Sequence, residues 1–334
     1  MSLSSEVEEE LKVNSGERES GSQPARSGES EAKSHQHKCL LCGTELRTRF
    51  ARVLDAKTLE TFATLECPAC GLGCTDPKSE DLAKYYRDYH GGRHGITNTF
   101  CTNRRMRILQ RLAGRRAGKR LLDVGCGEGT FLLAAKAEGW SVAGTEMNPV
   151  AARAAGLEVQ SNFSSIRTLA PFDCITLWHS LEHMPDPRAT LQEARNLLAP
   201  DGILIIAVPD AGGFQARVFG AKWLHFDVPR HLYHFTRFSL ANLLRREGFA
   251  MVRAWHQEFE YDVLGWSQSV LNYGPTAPNL FFDLLTGRHP EIGALGKFFT
   301  WTAGCALTGL AIFLVPVGTI LKRGGTLIVA ARPC

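Results

Sequence analysis

Leu121-Leu122-Asp123-Val124-Gly125-Cys126-Gly127-Glu128-Gly129-Thr130-Phe131 decides how this chain is read. A short buried strand, Leu121 to Val124, runs into three alternating glycines, and a helix is expected from Thr130 to Glu138. Glycines at that spacing permit a tight turn and let backbone N–H groups approach a ligand at a helix N-terminus. A second strand, Ser141 to Thr145, ends in Glu146, 17 residues beyond Gly129. A carboxylate at the end of the second strand is placed to accept hydrogen bonds from both hydroxyls of a ribose. The unit is therefore expected to bind a nucleoside.

A dinucleotide fingerprint would carry Gly or Ala at position 130, where Thr130 stands. Further elements follow in order. Phe172-Asp173-Cys174-Ile175-Thr176-Leu177-Trp178 reads as a buried strand, and His179-Ser180-Leu181-Glu182-His183-Met184-Pro185-Asp186-Pro187 as the loop after it. A helix from Ala189 to Leu198 leads through Leu198-Ala199-Pro200-Asp201-Gly202 to a strand at Ile203 to Val208. Asp227-Val228-Pro229-Arg230-His231-Leu232-Tyr233-His234-Phe235-Thr236 precedes a helix ending near Gly248, and Gly325 to Ala331 reads as a final strand. Over residues 119–257 and that last strand, the pattern resembles class I S-adenosylmethionine-dependent methyltransferases. It is closest to the branch of quinone-biosynthesis O-methyltransferases and zinc-ribbon methyltransferases of glycan clusters. The resemblance implies an α/β, Rossmann-like seven-stranded methyltransferase sheet of order 3-2-1-4-5-7-6 with the last strand antiparallel.

By the same resemblance the cofactor is S-adenosyl-L-methionine. Asp123, Gly125, Gly127 and Gly129 belong to its amino-acid end, Glu146 holds the ribose and Met147 flanks the adenine. Asn162, where relatives often carry Asp, faces the adenine amino group through its carbonyl. Trp178 and His179 leave the fourth strand nearest the reactive methyl. Methyl transfer is an in-line displacement helped by a general base when the acceptor is a hydroxyl. His231, His179 and His234 are the candidate bases, His231 first, while His183 is expected to hold its own loop. Arg230 is a candidate anion contact. His179-Ser180-Leu181-Glu182-His183 also matches H-x-x-E-H, a zinc-protease pattern that needs both histidines on one helical face. Pro185 and Pro187 oppose a helix there.

Composition sets the frame around this site. The 334 residues are 44% hydrophobic and 22% charged, which excludes wholly disordered, collagen-like and multi-span membrane chains. Residues 1–38 hold nine Ser, eight Glu and five Lys or Arg, and read as a disordered tail of net charge −3. The formal net charge of +4 thus hides a body of +7. No secretory signal opens the chain, so a cytoplasmic location is expected and disulfides are not. Cys39-Leu40-Leu41-Cys42-Gly43 and Cys67-Pro68-Ala69-Cys70-Gly71 are separated by 24 residues. That is close to zinc-ribbon spacing, so Cys39, Cys42, Cys67 and Cys70 are expected to hold a structural Zn2+.

The expected organisation is a tail at 1–38, a zinc ribbon at 39–80, a helical connector at 81–118 and a methyltransferase domain at 119–334. Tyr85, Tyr86 and Tyr89 fall in a connector helix, followed by a Gly/His-rich turn at 90–95. Eight Lys or Arg between Arg104 and Arg120 suggest either a nucleic-acid face or a solvated helix whose apolar side is Met106, Ile108, Leu109 and Leu112. Phe298 to Leu321 holds 24 residues without a charge, long enough to span a bilayer. A final strand after it would then lie across the membrane from its sheet. A hydrophobic insertion at about 262–324 is expected instead, making peripheral membrane contact at the inner face, capping a lipophilic substrate, or simply packing on the domain. The first functional expectation is O-methylation of a small or lipid-linked acceptor. The alternatives are an RNA methyltransferase docking through its ribbon, with nucleic acid the less favoured partner, and a non-catalytic cofactor-binding or interaction module.

Overall fold

The computed structural model describes residues 38–79, 81–86, 97–114, 118–256, 258–275, 277–287 and 292–334. The predicted tail, except Lys38, lies outside these residues, as do Tyr89 and the Gly/His turn at 90–95. Three antiparallel strands come first: β1 (Arg47–Leu54), β2 (Thr61–Glu66) and β3 (Gly73–Asp76). Two helices follow, α1 (Ala83–Tyr86) and α2 (Asn98–Ala113). Met106, Ile108 and Leu109 are buried on α2, as its apolar pattern predicts.

The central sheet starts at β4 (Arg120–Val124) and continues through α3 (Thr130–Ala137), β5 (Ser141–Thr145), α4 (Val150–Ala154) and β6 (Val159–Gln160). Next come β7 (Phe172–Trp178), α5 (Pro187–Leu197), β8 (Leu198–Pro209) and α6 (Phe214–Phe219). A two-residue strand, β9 (Tyr233–His234), precedes α7 (Arg237–Arg246) and β10 (Phe249–Trp255). Helices α8 (Phe259–Leu271), α9 (Leu280–Leu285) and α10 (Ala294–Ile320) lead to β11 (Thr326–Pro333). The seven strands pair in the order β10-β11-β8-β7-β4-β5-β6. Counted within this sheet, that is 3-2-1-4-5-7-6 read from β6, and β11 is antiparallel to both neighbours, as expected.

The central strands are apolar runs because both faces are covered. Alternation divides them: Leu122, Ile175, Leu204 and Ile206 enter one core with Leu240 and Leu243 of α7, while Leu121, Cys174, Ile203 and Ile205 enter the other with Leu109 and Phe131. Asp186 starts α5 by accepting from the N–H groups of Arg188 and Ala189, with Pro187 at the first helical position.

The small sheet is not confined to the N-terminal segment. Its order is β1-β2-β3-β9, so residues from between β8 and β10 form its fourth strand. Gly73 pairs with His234, and a Cβ on Gly73 would come within 2.9 Å of the His234 Cβ, so glycine permits the approach. The Thr75 hydroxyl donates to the His231 carbonyl at 2.6 Å. Arg230 is buried between Asp55 and Asp227, each at 2.6 Å. The expectation of Arg230 as an anion contact is thereby corrected: these two carboxylates already engage its guanidinium.

The predicted insertion lies between β10 and β11. α10 runs unbroken for 27 residues through Pro316 and is the one helix among the described residues long and apolar enough to cross a membrane. It packs through a stripe of Thr300, Gly304, Ala311, Val315 and Gly318. Any Cβ at Gly304 would overlap the Phe281 ring of α9. Phe298, Phe299, Phe313 and Ile320 remain exposed.

Candidate active site

The glycine turn joins the carboxyl ends of β4 and β5. The N–H groups of Gly125 and Cys126 donate to the Thr145 carbonyl at 2.8 and 3.0 Å, tying the turn to the end of the second strand. Gly125, Gly127 and Gly129 all have φ between +56° and +84°, which L side chains rarely adopt. Their surroundings differ. A Cβ on Gly125 would lie 2.6 Å from the Ser180 Cβ, and one on Gly129 would overlap Leu157. At Gly127 a Cβ would meet nothing within 4 Å. The Gly127 N–H donates to the Glu146 carboxylate at 2.9 Å, so the predicted ribose acceptor stands beside the open glycine.

Asp123 is buried and accepts from the Thr176 hydroxyl at 2.6 Å; burial raises its pKa to about 7. Met147 is 73% exposed at the rim. The Asn162 carbonyl oxygen accepts from the Ser164 hydroxyl at 2.5 Å and the Ser165 N–H at 3.2 Å, a local turn just past β6. Trp178 ends β7 with its ring edge-on to Phe131 and the Arg105 guanidinium over it at 5.1 Å. Its indole N–H and the neighbouring Ser180 hydroxyl are buried without hydrogen-bond partners among the described residues. Open space at a positive-φ glycine, a carboxylate and two orphaned polar groups at the ends of adjacent strands suit a bound nucleoside-bearing ligand.

Beside this turn lies a corner of histidines and carboxylates. His179 has φ +52° and stacks on Tyr261 at 4.2 Å. Its Nε2 sits 2.5 Å from Glu258 and its Nδ1 3.5 Å from Glu182. Burial pulls the His179 pKa down, but Glu258 and Glu182 outweigh it and lift it to about 9. His231 is buried with Nδ1 on the His225 carbonyl at 2.9 Å, and burial lowers its pKa to about 4. His234 lies in β9 with Nε2 3.1 Å from the Thr75 hydroxyl, its pKa lowered by burial to about 3. The segment Leu181–His183 is a single 3-10 turn, not the α-helix an H-x-x-E-H protease needs.

Glu182, Asp227, Glu258, Tyr261 and Arg105 escaped the reading of candidate site residues. Glu182 stood in the quoted motif, but nothing in the sequence marked it as buried. Glu258 and Tyr261 come from the start of the β10–β11 connection, just ahead of the predicted 262–324 insertion, and no local pattern ties position 258 to His179. Arg104, read as part of a basic face, is buried against Glu258 and Glu260.

The four predicted cysteines converge. Cys39 and Cys70 sulfurs lie 3.4 Å apart, as do those of Cys42 and Cys67, and all four are mutually within 4.8 Å. Each knuckle closes by a glycine N–H, Gly43 on the Cys39 carbonyl and Gly71 on the Cys67 carbonyl, both at 2.9 Å. Zn–S bonds of about 2.3 Å in a tetrahedron put sulfurs roughly 3.8 Å apart, so this donor set fits Zn2+.

The sheet order and glycine turn define a class I methyltransferase fold. Residues 97–254 match the family described as a methyltransferase domain. The chain is 30% identical over 153 residues to a ubiquinone biosynthesis O-methyltransferase of Xanthomonas axonopodis pv. citri (strain 306), covering 40% of this chain and 64% of that one. A protein of the same name from Xylella fastidiosa (strain 9a5c) is 31% identical over 150 residues, covering 40% and 61%. The chain thus spans under two thirds of these relatives' length. A solved S-adenosylmethionine-dependent methyltransferase from Archaeoglobus fulgidus aligns with a TM-score of 0.43 at 16% identity, covering 76% of this chain and 100% of that one.

Proposed function

We propose that this protein transfers a methyl group from S-adenosylmethionine to an oxygen of a small or lipid-linked acceptor. The open face of Gly127 beside the Glu146 carboxylate carries this reading. When bound, the cofactor supplies a sulfonium-activated methyl. Glu146 would take the ribose hydroxyls, exchanging its Gly127 contact for them, and the glycine turn would receive the amino-acid end. Asp123 braces that turn through Thr176. Met147 and Asn162 flank the adenine side, and Trp178 walls the methyl. Oxygen as acceptor atom is supported by the O-methyltransferase relatives. The four thiols would hold a structural Zn2+.

Among the candidate bases, His231 is the acceptor-facing choice. A carbonyl can only accept, so the Nδ1 of His231 carries the proton and its Nε2 keeps a lone pair. His179, held protonated between two carboxylates, supplies fixed positive charge, and His234 pairs β9 with β3 in the small sheet. α10 would rest at a bilayer interface, with Phe299, Phe313 and Ile320 toward the acyl boundary and Lys297, Lys322 and Arg323 at its two ends toward anionic headgroups. Calorimetry of the zinc-loaded chain with S-adenosylmethionine, followed by tritiated-methyl transfer to fractionated extract, tests the proposal. Label is expected in lipid or small molecules. Absence of cofactor binding would overturn the enzyme reading, and label confined to RNA would overturn the acceptor assignment.

A further inference from the structure

We infer that Glu258 and Tyr261 are positioning residues for methyl transfer: the start of α8 holds the His179 imidazole in place beside Trp178, at the reactive end of the site. The family match ends at residue 254, so both residues lie beyond it, in the connection from β10 to β11. That role rests on the methyltransferase reading and gives the connection a part in it.

His179 is fixed from two sides. Its backbone N–H donates to the Ala207 carbonyl at 2.9 Å, and its φ of +52° is one that a side-chain-bearing residue rarely adopts. Such a conformation persists only where the surroundings over-determine it. Glu258 and Tyr261 fix the ring. Glu258 is fully buried with an oxygen 2.5 Å from His179 Nε2, and a carboxylate can only accept, so Nε2 carries a proton. Tyr261 lies flat on the imidazole, the ring centroids 4.2 Å apart and the planes 11° off parallel. The Tyr261 carbonyl accepts from His225 Nε2 at 3.1 Å, which ties α8 to the segment around His231.

Glu258 is itself held by α2. Arg104 bridges it to Glu260, and Arg105 Nη2 stands 3.8 Å from it while the Arg105 guanidinium lies over Trp178. Burial raises the Glu258 pKa, but His179, Arg104 and Arg105 outweigh it and hold it well below the usual carboxylate range. His179 in turn faces Glu258, Glu182 on its own loop at 3.5 Å, the Tyr261 ring and a neutral His225. Burial disfavours its charge, and the two carboxylates restore it up to about pH 9. Val263 packs α8 against Ala311 and Val315 of α10. The long connection is thus a rigid support for His179, and in-line transfer needs one, because a misplacement of about 1 Å can cost on the order of 100-fold. A fixed positive charge there favours the ionised form of an acceptor hydroxyl.

Nuclear magnetic resonance of full-length, zinc-loaded protein with isotope-labelled histidine provides the test, the His179 signals being those lost in His179→Gln. Wild-type His179 should titrate with a midpoint of about 9. Glu258→Gln should lower that midpoint by at least about one pH unit. With tritiated S-adenosylmethionine and the extract fraction that wild type labels, the alkaline fall in transfer rate should move down by the same amount. Glu260→Gln, which removes only the other partner of Arg104, should leave both within about 0.3 pH unit. Calorimetry with S-adenosylmethionine reports whether each variant is folded. Should Glu258→Gln not fold, Tyr261→Leu decides: its cofactor affinity should stay within about threefold while kcat falls at least about tenfold. A moved midpoint with an unmoved alkaline fall, equal shifts in Glu260→Gln, or an unchanged kcat in Tyr261→Leu overturns the positioning role. Wild type that binds the cofactor and transfers label, with every variant unmoved, sinks this inference alone. Wild type that binds no cofactor sinks the methyltransferase reading instead.

Discussion

The glycine turn and the histidine corner touch at Gly125 and Ser180, yet they are made in opposite ways. The turn is one continuous stretch, bound to the next strand by backbone hydrogen bonds and open at Gly127. The corner is assembled from three distant segments, around residues 179–183, 225–231 and 258–261, and its side chains are mostly buried. The turn leaves open space at Gly127. The corner is a charge network that holds a surface in place. The N-terminal strands are bound to this corner through β9 and Arg230, so the cysteine knuckles are part of its frame.

The largest test of that comparison is removal of the metal from the thiolate site. Structural zinc is worth about 10–16 kcal/mol in small isolated modules, so chelation should unfold the ribbon. Loss of β3 would free β9 and loosen the histidine corner while leaving the glycine turn formed. Hydrogen exchange should show deprotection at 39–76 and 225–236 with residues 121–145 still protected; uniform protection would separate ribbon from corner. Gly127→Asp comes next. It fills the one open face of the turn with a like charge beside Glu146, and calorimetry should find S-adenosylmethionine affinity down at least about 100-fold, or 2.7 kcal/mol. Aspartate at φ +56° is strained by about 1 kcal/mol, so the melting temperature should fall modestly, and unchanged affinity would refute the site.

Arg230→Met works on the other side. It leaves Asp55 and Asp227 buried without their guanidinium, a loss on the order of 3–5 kcal/mol in denaturant unfolding. A loss under about 1 kcal/mol would mean that the frame does not depend on this pair.

A smaller effect should appear in pH. His225 and His231, at about 4, and His234, at about 3, stay neutral in the fold because burial disfavours their charge. The unfolded chain protonates them near 6.5, so it binds more protons and stability falls as pH drops from 6.5 toward 4. His179 has the opposite sign. Its folded value of about 9 contributes stability that is complete below 6.5 and is lost as pH rises through 9. The melting temperature should therefore peak near pH 6.5, and His179→Gln should flatten the alkaline limb only. An unchanged alkaline limb would place the charge elsewhere.

How much of this could be read in advance follows from how local each contact is. The glycine turn, Glu146, the Cys-x-x-Cys knuckles and the sheet elements were all visible, because each is specified by residues a few positions apart. The basic stretch after Arg104 shows the limit. Its charges suggested a solvent or nucleic-acid face, but Arg104 turns inward to Glu258 and Glu260, carboxylates more than 150 positions away that no pattern links to it. α10 was legible as apolar and helical; that only the stripe from Thr300 to Gly318 would be covered depended on where α8 and α9 came to rest.

The sequence by itself determined a strand-turn-helix unit with nucleoside chemistry and four thiols at metal spacing, because backbone conformation and short-range spacing are properties of neighbours along the chain. Tertiary structure alone decided which histidines are charged, which carboxylates are buried, and that the ribbon shares a sheet with the segment around His231. Those outcomes depend on desolvation and on long-range pairing, and both exist only once distant segments pack together.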